Sequence, residues 1–231
     1  MRLVTINLQW GGKDRIDFIL NYLIRQNADF LVLGEYKDHE NGDTITKNLK
    51  KQGYSFQDSD DDQLGVLLAS KHPFTLIKRE RRLVGIELSD YNLRILGVYV
   101  PTGSKDKRFK DAVWQKILQF AQKNKDIPCI ISGDFNSCRK EDSMNKTQYS
   151  AAELENLLNI GWIDTWAVYN NDDAERYTWY SDWGNGFRFD YAFISPRLGK
   201  EIEKVDVYHD YLKREEGMTD HSPFVLNFIF E

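Results

Sequence analysis

The residues in this chain whose types could do chemistry are acids and amides placed where apolar runs stop. Asn7 follows Leu3-Val4-Thr5-Ile6, Glu35 follows Leu31-Val32-Leu33-Gly34, and Asp134 and Asn136 follow Ile130-Ile131. Asp190 is embedded in Phe187-Arg188-Phe189-Asp190-Tyr191, and Asp220-His221 come just before the apolar run Phe224–Phe230. Carboxylate and amide oxygens suit hard divalent cations such as Mg²⁺ or Mn²⁺, which pair naturally with phosphate. An Asp-His pair adds a general acid–base group or a cation for a charged transition state. Each residue also has a plainer use. Asn7 could end a strand in a turn, Glu35 could be solvated, Gly133-Asp134-Phe135-Asn136 could be a tight turn, and Asp220-His221 could be a cap. Only convergence of the run ends on one cleft would make them a site.

The elements that must position them alternate in kind. Arg2–Gln9 reads as a strand, and Asp14–Gln26 carries Ile16, Ile19, Leu20, Leu23 and Ile24 at helical spacing. Phe30–Leu33 is a short apolar run expected to be a buried strand. Gly65–Ala69, Phe74–Ile77, Leu83–Leu88 and Leu93–Val100 follow one another without convincing helix and predict an antiparallel meander. Phe109–Ala121 returns to helical period through Val113, Ile117 and Phe120. Pro128–Ser132 is another buried strand, and Ser150 with Glu153 three residues on has the pattern of a capping box. Phe189–Ser195 and Phe224–Phe230 close the chain as strands. The expected architecture is a layered α/β sandwich rather than a doubly wound parallel sheet.

With 231 residues, 41% of them hydrophobic, the chain is expected to form one domain over 1–231. The net charge of −5 argues against a module that holds nucleic acid by basic charge alone. It does not exclude an enzyme that reaches phosphate through metal held by carboxylates. One basic stretch, Lys105 to Lys110, survives inside the acidic whole. Two cysteines, Cys129 and Cys138, are too few for a disulfide framework or a clustered zinc site. No run approaches the ~18 apolar residues of a membrane helix, so a soluble, cytoplasmic protein with no membrane partner is expected. Asp58, Asp60 and Asp62 mimic the start of an EF-hand loop, but Gln63 and Ala69 stand where Gly and a bidentate Glu are required. His39, His72 and His209 have no metal-spaced partners and are expected at the surface or in caps.

The order of these motifs resembles the endonuclease/exonuclease/phosphatase superfamily, and within it the exonuclease III-like abasic-site (AP) endonucleases. The resemblance runs through Thr5-Ile6-Asn7, Leu33-Gly34-Glu35-Tyr36-Lys37, Gly65–Lys71 and Gly97-Val98-Tyr99-Val100-Pro101. It continues through Gly133–Asn136, Gly161–Thr165, Tyr177-Thr178-Trp179, Gly186–Tyr191 and Thr219–Pro223. Tyr99, where relatives like DNase I carry His, points to the AP-endonuclease branch. The resemblance implies a four-layer α/β sandwich, with two mainly antiparallel sheets packed face to face and helices outside. It implies a monomer that hydrolyses phosphodiesters in DNA, with abasic-site or 3′-end repair activity. By this resemblance Glu35 holds Mg²⁺ or Mn²⁺ with Asn7 and Asp220. Asp134 activates or orients the attacking water, with Asn136 positioning it. His221, oriented by Asp190, binds the phosphoryl oxygen, and Tyr99 contacts the phosphate or aids the leaving oxygen. Trp179 and Phe187 resemble pocket aromatics, while Lys105, Lys107 and Arg108 are expected to touch phosphates. Gln9, Tyr36 and Thr102 depart from the family pattern, and the segment from Trp179 to Arg188 is shorter than in AP endonucleases. These departures leave the chemistry intact and keep RNA or a small phosphoester open as the substrate.

Overall fold

The computed structural model describes residues 1–60, 63–170 and 175–230, so Asp62 of the EF-hand mimic lies outside the described residues. The first half of the chain forms β1 (Arg2–Asn7), α1 (Ile16–Gln26), β2 (Phe30–Tyr36), α2 (Glu40–Lys51), β3 (Ser55–Asp58) and β4 (Gly65–Ser70). It continues with β5 (Thr75–Glu80), β6 (Leu83–Leu88), β7 (Leu93–Tyr99), α3 (Lys107–Asn124) and β8 (Cys129–Asp134). Then come α4 (Ala151–Asn159), β9 (Ile163–Asp164), α5 (Thr165–Tyr169), β10 (Trp179–Tyr180), β11 (Gly186–Phe187) and β12 (Asp190–Ile194). The chain closes with α6 (Pro196–Glu201), β13 (Ile202–His209), α7 (Tyr211–Glu215) and β14 (Phe224–Phe230).

Two six-stranded sheets result, with strand orders β13-β14-β1-β2-β4-β3 and β5-β6-β7-β8-β12-β9. The two are alike at their centres. In each, one central pair is parallel, β1 with β2 and β7 with β8, and the other neighbours are antiparallel. A parallel pair needs a long crossover, and α1 and α3 supply the two. Helix α1 forms because Ile19, Leu20 and Leu23 recur on one buried face, and it stops at Asn27, a left-handed cap whose N–H bonds the Ile24 carbonyl. Ile19, Leu23, Ile45 and Leu49 seat α1 and α2 on one sheet. Val113, Trp114, Ile117, Leu154 and Leu157 seat α3 and α4 on the other. Leu3, Phe30, Val32, Val66, Ile86, Ile95 and Ile130 fill the space between the sheets. The result is the expected four-layer α/β sandwich.

The inward rows of β1 and β8 change character along their length. Side chains alternate faces with period two, so β1 turns Leu3, Thr5 and Asn7 inward while Val4 and Ile6 face the helices. On β8 the inward row is Ile130, Ser132 and Asp134. Leu3 and Ile130 share the central core, Thr5 Oγ1 meets Ser132 Oγ at 2.6 Å, and Asn7 meets Asp134 at 2.9 Å. Apolar contact thus gives way to polar contact toward the strand ends. Gly133 lets β7 and β8 come this close, since at its φ of +153° a Cβ would lie 1.9 Å from the Val98 carbonyl oxygen.

Three expectations need correction. The meander holds only for β5, β6 and β7, because β4 joins the other sheet between β2 and β3. Its six residues are all buried, as a strand covered on both faces must be. Ser150 precedes α4 but has φ +45° and makes no side-chain cap bond, so the capping box does not form. His209 is neither surface nor cap: it is buried and stacked on Trp166, with ring centroids 5.3 Å apart. Burial away from water holds its imidazole well below the ordinary value, at about 3, so it is neutral. Helix α2 and strands β3 and β13 escape the sequence reading because their exposed faces break the apolar pattern.

Candidate active site

The carboxyl ends of the two parallel pairs face each other across the sandwich. Asn7 ends β1 and Asp134 ends β8, while Glu35 near the end of β2 meets Tyr99 at the end of β7. Asn7 Nδ2 donates to Asp134 Oδ2 at 2.9 Å and to Glu35 Oε1 at 3.3 Å, which ties the two acids together. The Tyr99 hydroxyl donates to Glu35 Oε1 at 3.0 Å, and the Trp10 amide donates to Oε2 at 2.7 Å. Glu35 has φ +53° and sits where the β2–β4 register slips. This bulge turns its side chain into the cleft, in a conformation that costs roughly 1–3 kcal/mol for a non-glycine residue.

Asp134, Asp190 and His221 form the buried centre. Asp190 begins β12 opposite Asp134 in the register, and His221 lies just before β14. His221 Nδ1 meets Asp190 Oδ2 at 2.8 Å. One ligand atom from each of Asp134, Asp190 and His221 lies within 4.8 Å of the others, a spacing one metal ion can bridge. Asp190 Oδ1 is buried without a hydrogen-bond partner among the described residues. A buried carboxylate oxygen left bare is costly, so this donor set fits a further cation or donor. Thr178 Oγ1 accepts from the amides of Phe189 and Asp190, and its carbonyl accepts from Ser222. It thereby fixes both partners of the Asp190–His221 pair.

Electrostatics follow from burial and imbalance. Two carboxyl groups face one imidazole in the buried centre. Burial raises the Asp134 carboxyl and the Asp190 charge adds to this, outweighing His221, the Asn136 amide and Asn7. Burial alone would lower His221, but Asp190 and Asp134 hold it well above an ordinary imidazole. Burial, then the charges of Glu35 and Asp134, push Tyr99 far above an ordinary phenol, so it remains an O–H donor.

The other expected site residues are placed as follows. Asn136, at φ +44°, donates its amide N–H to Asp134 Oδ1 at 2.8 Å and its side-chain NH₂ to Oδ2 at 2.9 Å. Asp220 is not one of the Asp134–Asp190–His221 group and accepts from Trp179 Nε1 at 3.3 Å. Trp179 bridges to His221 and packs on Phe187 and Phe189 at 5.9 and 5.7 Å. Phe187 is only 4% exposed, so it backs the half-buried Trp179 rather than lining open space. Lys105, Lys107 and Arg108 are exposed at the start of α3, and Lys107 pairs with Asp111 at 2.7 Å.

Sequence reasoning missed Lys110, Thr219 and Phe189. Lys110 is 4% exposed and donates to the Asn136 carbonyl at 2.6 Å, under the Asp134 turn. Its place three and four residues before Val113 and Trp114 put it on the buried face of α3, a signal present in the sequence. Thr219 donates to the Asn7 carbonyl at 2.6 Å. The Phe189 ring stacks on Phe187, with centroids 5.3 Å apart.

Comparison with known proteins agrees with this fold. The family model described as the endonuclease/exonuclease/phosphatase family matches residues 4–221. Among solved structures, the chain is similar to a 3′–5′ exonuclease from Neisseria meningitidis, at 22% identity and TM-score 0.80 over 100% of both chains. A 3′ phosphatase from Neisseria, bound to a product DNA hairpin, has 22% identity and TM-score 0.78 over 100% of both chains. An AP endonuclease from Archaeoglobus fulgidus has 21% identity and TM-score 0.77 over 99% of each. No curated protein matches the chain. At these identities the likeness carries the fold.

Proposed function

Because the chain belongs to the endonuclease/exonuclease/phosphatase family, we propose that it is a divalent-metal-dependent phosphodiester hydrolase acting on DNA, as an abasic-site endonuclease or 3′-exonuclease. The observation that carries the reading is the convergence of Glu35, Asn7, Asp134, Asp190 and His221 at one end of both sheets. The donors there are mostly oxygen and carry excess negative charge, which suits a hard cation. Glu35, with Asn7 and Asp220, would hold Mg²⁺ or Mn²⁺, which supplies neutralisation of the phosphate and polarisation of its P–O bond.

The chain's own groups divide the rest of the work. Asp134 takes the proton of the attacking water: burial makes it a stronger base than an ordinary carboxylate, and Asn7 and Asn136 fix both of its oxygens. Asp190 engages His221 Nδ1, which leaves Nε2 to donate to a phosphoryl oxygen and to stabilise the charge that develops there. Tyr99 stays protonated and orients Glu35, within reach of a bound phosphate. Trp179, backed by Phe187, offers an apolar wall for an extruded abasic sugar. Lys105 and Arg108 add exposed phosphate contacts.

The net charge of −5 and the short segment from Trp179 to Arg188 favour a second reading, hydrolysis of RNA or of a small phosphoester. A panel of abasic duplex, intact duplex, single-stranded DNA, RNA and small phosphoesters, each with Mg²⁺ and with excess chelator, separates the two. The first reading expects abasic duplex to be cut faster than intact duplex, chelator to stop turnover, and Trp179→Ala to erode the preference. Activity confined to RNA or small phosphoesters selects the second, and full turnover in chelator removes both.

A further inference from the structure

The loop that grips Glu35 is unusual in its backbone. Gln9, Trp10, Gly11, Gly12 and Lys13 have φ values of 50°, 60°, 72°, 85° and 46°, five left-handed residues in succession. Only two are glycine, and left-handed backbone is disfavoured for every other residue type. The turn persists because it is braced from several sides. The Gly12 amide donates to the Leu8 carbonyl at 3.0 Å, and Arg15 donates to the Gln9 carbonyl at 3.0 Å. Asn41 Nδ2 donates to the carbonyls of Gly11 and Lys13 at 3.1 and 2.7 Å. A Cβ at Gly11 would sit 3.2 Å from the side chains of His39 and Lys37, so the loop is also packed against its neighbours.

This brace presents Trp10. Its amide holds Glu35 Oε2, yet its indole is 50% exposed. The Lys37 ammonium lies over the ring, 5.2 Å from its centroid. A single exposed apolar side chain is ordinary. This one stands on a strained, cross-braced turn beside the acid at the cleft, with a cation on its face. Backbone strain of this kind concentrates at ligand sites. A rigid aromatic face beside a cation matches a base and the phosphate attached to it, and such stacking works for any base.

We infer that Trp10 and Lys37 form a subsite for an unpaired nucleobase and its neighbouring phosphate, next to Glu35. The inference rests on the polynucleotide reading of the site and deepens it: the strand passes Glu35 single-stranded, with one base on the indole. A paired base would have its faces covered by its neighbours, so this side of the cleft favours frayed ends, overhangs and gaps.

The test uses the intact protein, Trp10→Ala, Trp10→Phe and Lys37→Ala. The probes are dye-labelled single-stranded oligonucleotides carrying one tetrahydrofuran residue, which keeps the backbone but lacks the base, at successive positions. Binding is read by fluorescence anisotropy in chelator, and KM and kcat are read with Mg²⁺. The expected result is one position at which loss of the base weakens wild-type binding by about tenfold, the scale of a base–aromatic stack. Trp10→Ala should bind the unmodified strand about tenfold more weakly and show no further loss at that position, while Trp10→Phe keeps most of the discrimination. Lys37→Ala should weaken binding and reduce its salt dependence. The Trp10→Ala effect should fall on KM more than kcat, because the Glu35 contact comes from the backbone amide. Equal affinities of wild type and Trp10→Ala for every strand would overturn the subsite. Base-dependent binding without cleavage would overturn the nuclease reading and leave the subsite standing.

Discussion

Arg188 and Asp190 stand two residues apart in the chain, yet they enter two buried charge clusters of opposite character. Arg188 donates to Asp142 Oδ1 at 2.6 and 2.9 Å and to both oxygens of Asp164 at 2.9 and 2.6 Å. Arg139 adds a second cation on Asp142 at 2.9 Å, and Tyr191 donates to Asp142 at 3.4 Å. Two cations face two anions. Burial alone would raise the Asp142 carboxyl, but Arg188 and Arg139 hold it below the usual carboxylate range. The Asp190 cluster has two carboxylates against one imidazole, and Asp190 Oδ1 lacks a partner among the described residues. A balanced, saturated network locks loops and strands together, whereas an unbalanced one keeps an affinity in reserve for a ligand.

The comparison breaks most sharply at Arg188. Arg188→Met strips the main donor from two buried carboxylates and should destabilise the protein by about 3–5 kcal/mol, the usual effect of orphaning a buried ion-pair partner. Denaturant unfolding measures it, and a loss under about 1 kcal/mol would show that the network is not structural.

At the other cluster the effect should fall on turnover instead. Asp134→Asn and His221→Asn should each cut kcat by at least ~10²-fold with little loss of DNA affinity, because their roles are felt in the transition state. Near-normal turnover in either variant removes the assignment. His221→Asn also has a pH signature in stability. The folded-state pKa of His221 is raised, so its contribution is fully present below the unfolded value of about 6.5 and is lost as pH rises toward the folded value. The stability gap between wild type and variant should therefore shrink from acid to alkaline pH, and a gap that widens would contradict the pairing with Asp190.

The smallest effect belongs to charge outside both clusters. Neutralising Lys105, Lys107 and Arg108 together should raise KM for DNA and flatten its salt dependence, with kcat nearly unchanged. A triple variant that matches wild type at every salt concentration would leave these residues as the solvated start of α3. Lys110, two residues beyond Arg108 and buried, belongs with the site and should not be grouped with them.

Much of this was legible in local pattern. The apolar runs of β2, β4 and β8 are continuous because those strands are covered on both faces, and the helical spacing in α1 and α3 marks their buried stripes. The acids and amides at run ends stood out only together, since each alone could be a turn residue or a solvated one. The polar helix α2, with Ile45 and Leu49 as its core anchors, did not stand out, and neither did β13, whose exposed positions dilute its pattern. His209 was misread because nothing nearby in sequence announces the Trp166 ring stacked on it.

By itself the sequence determined which residues end strands and which faces alternate, since both depend on the geometry of neighbouring residues along one chain. It also carried the order of motifs that marks the family. Only the tertiary structure decided which polar end meets which. Asn7 and Asp134 are 127 residues apart, and Tyr99 and Glu35 are 64 apart. Their contacts exist because two sheets with parallel centres pack face to face. The same packing chose Asp142 and Asp164 for Arg188 and left Asp190 to His221. No local pattern tells these acids apart, because the difference lies in how many donors the fold brings to each.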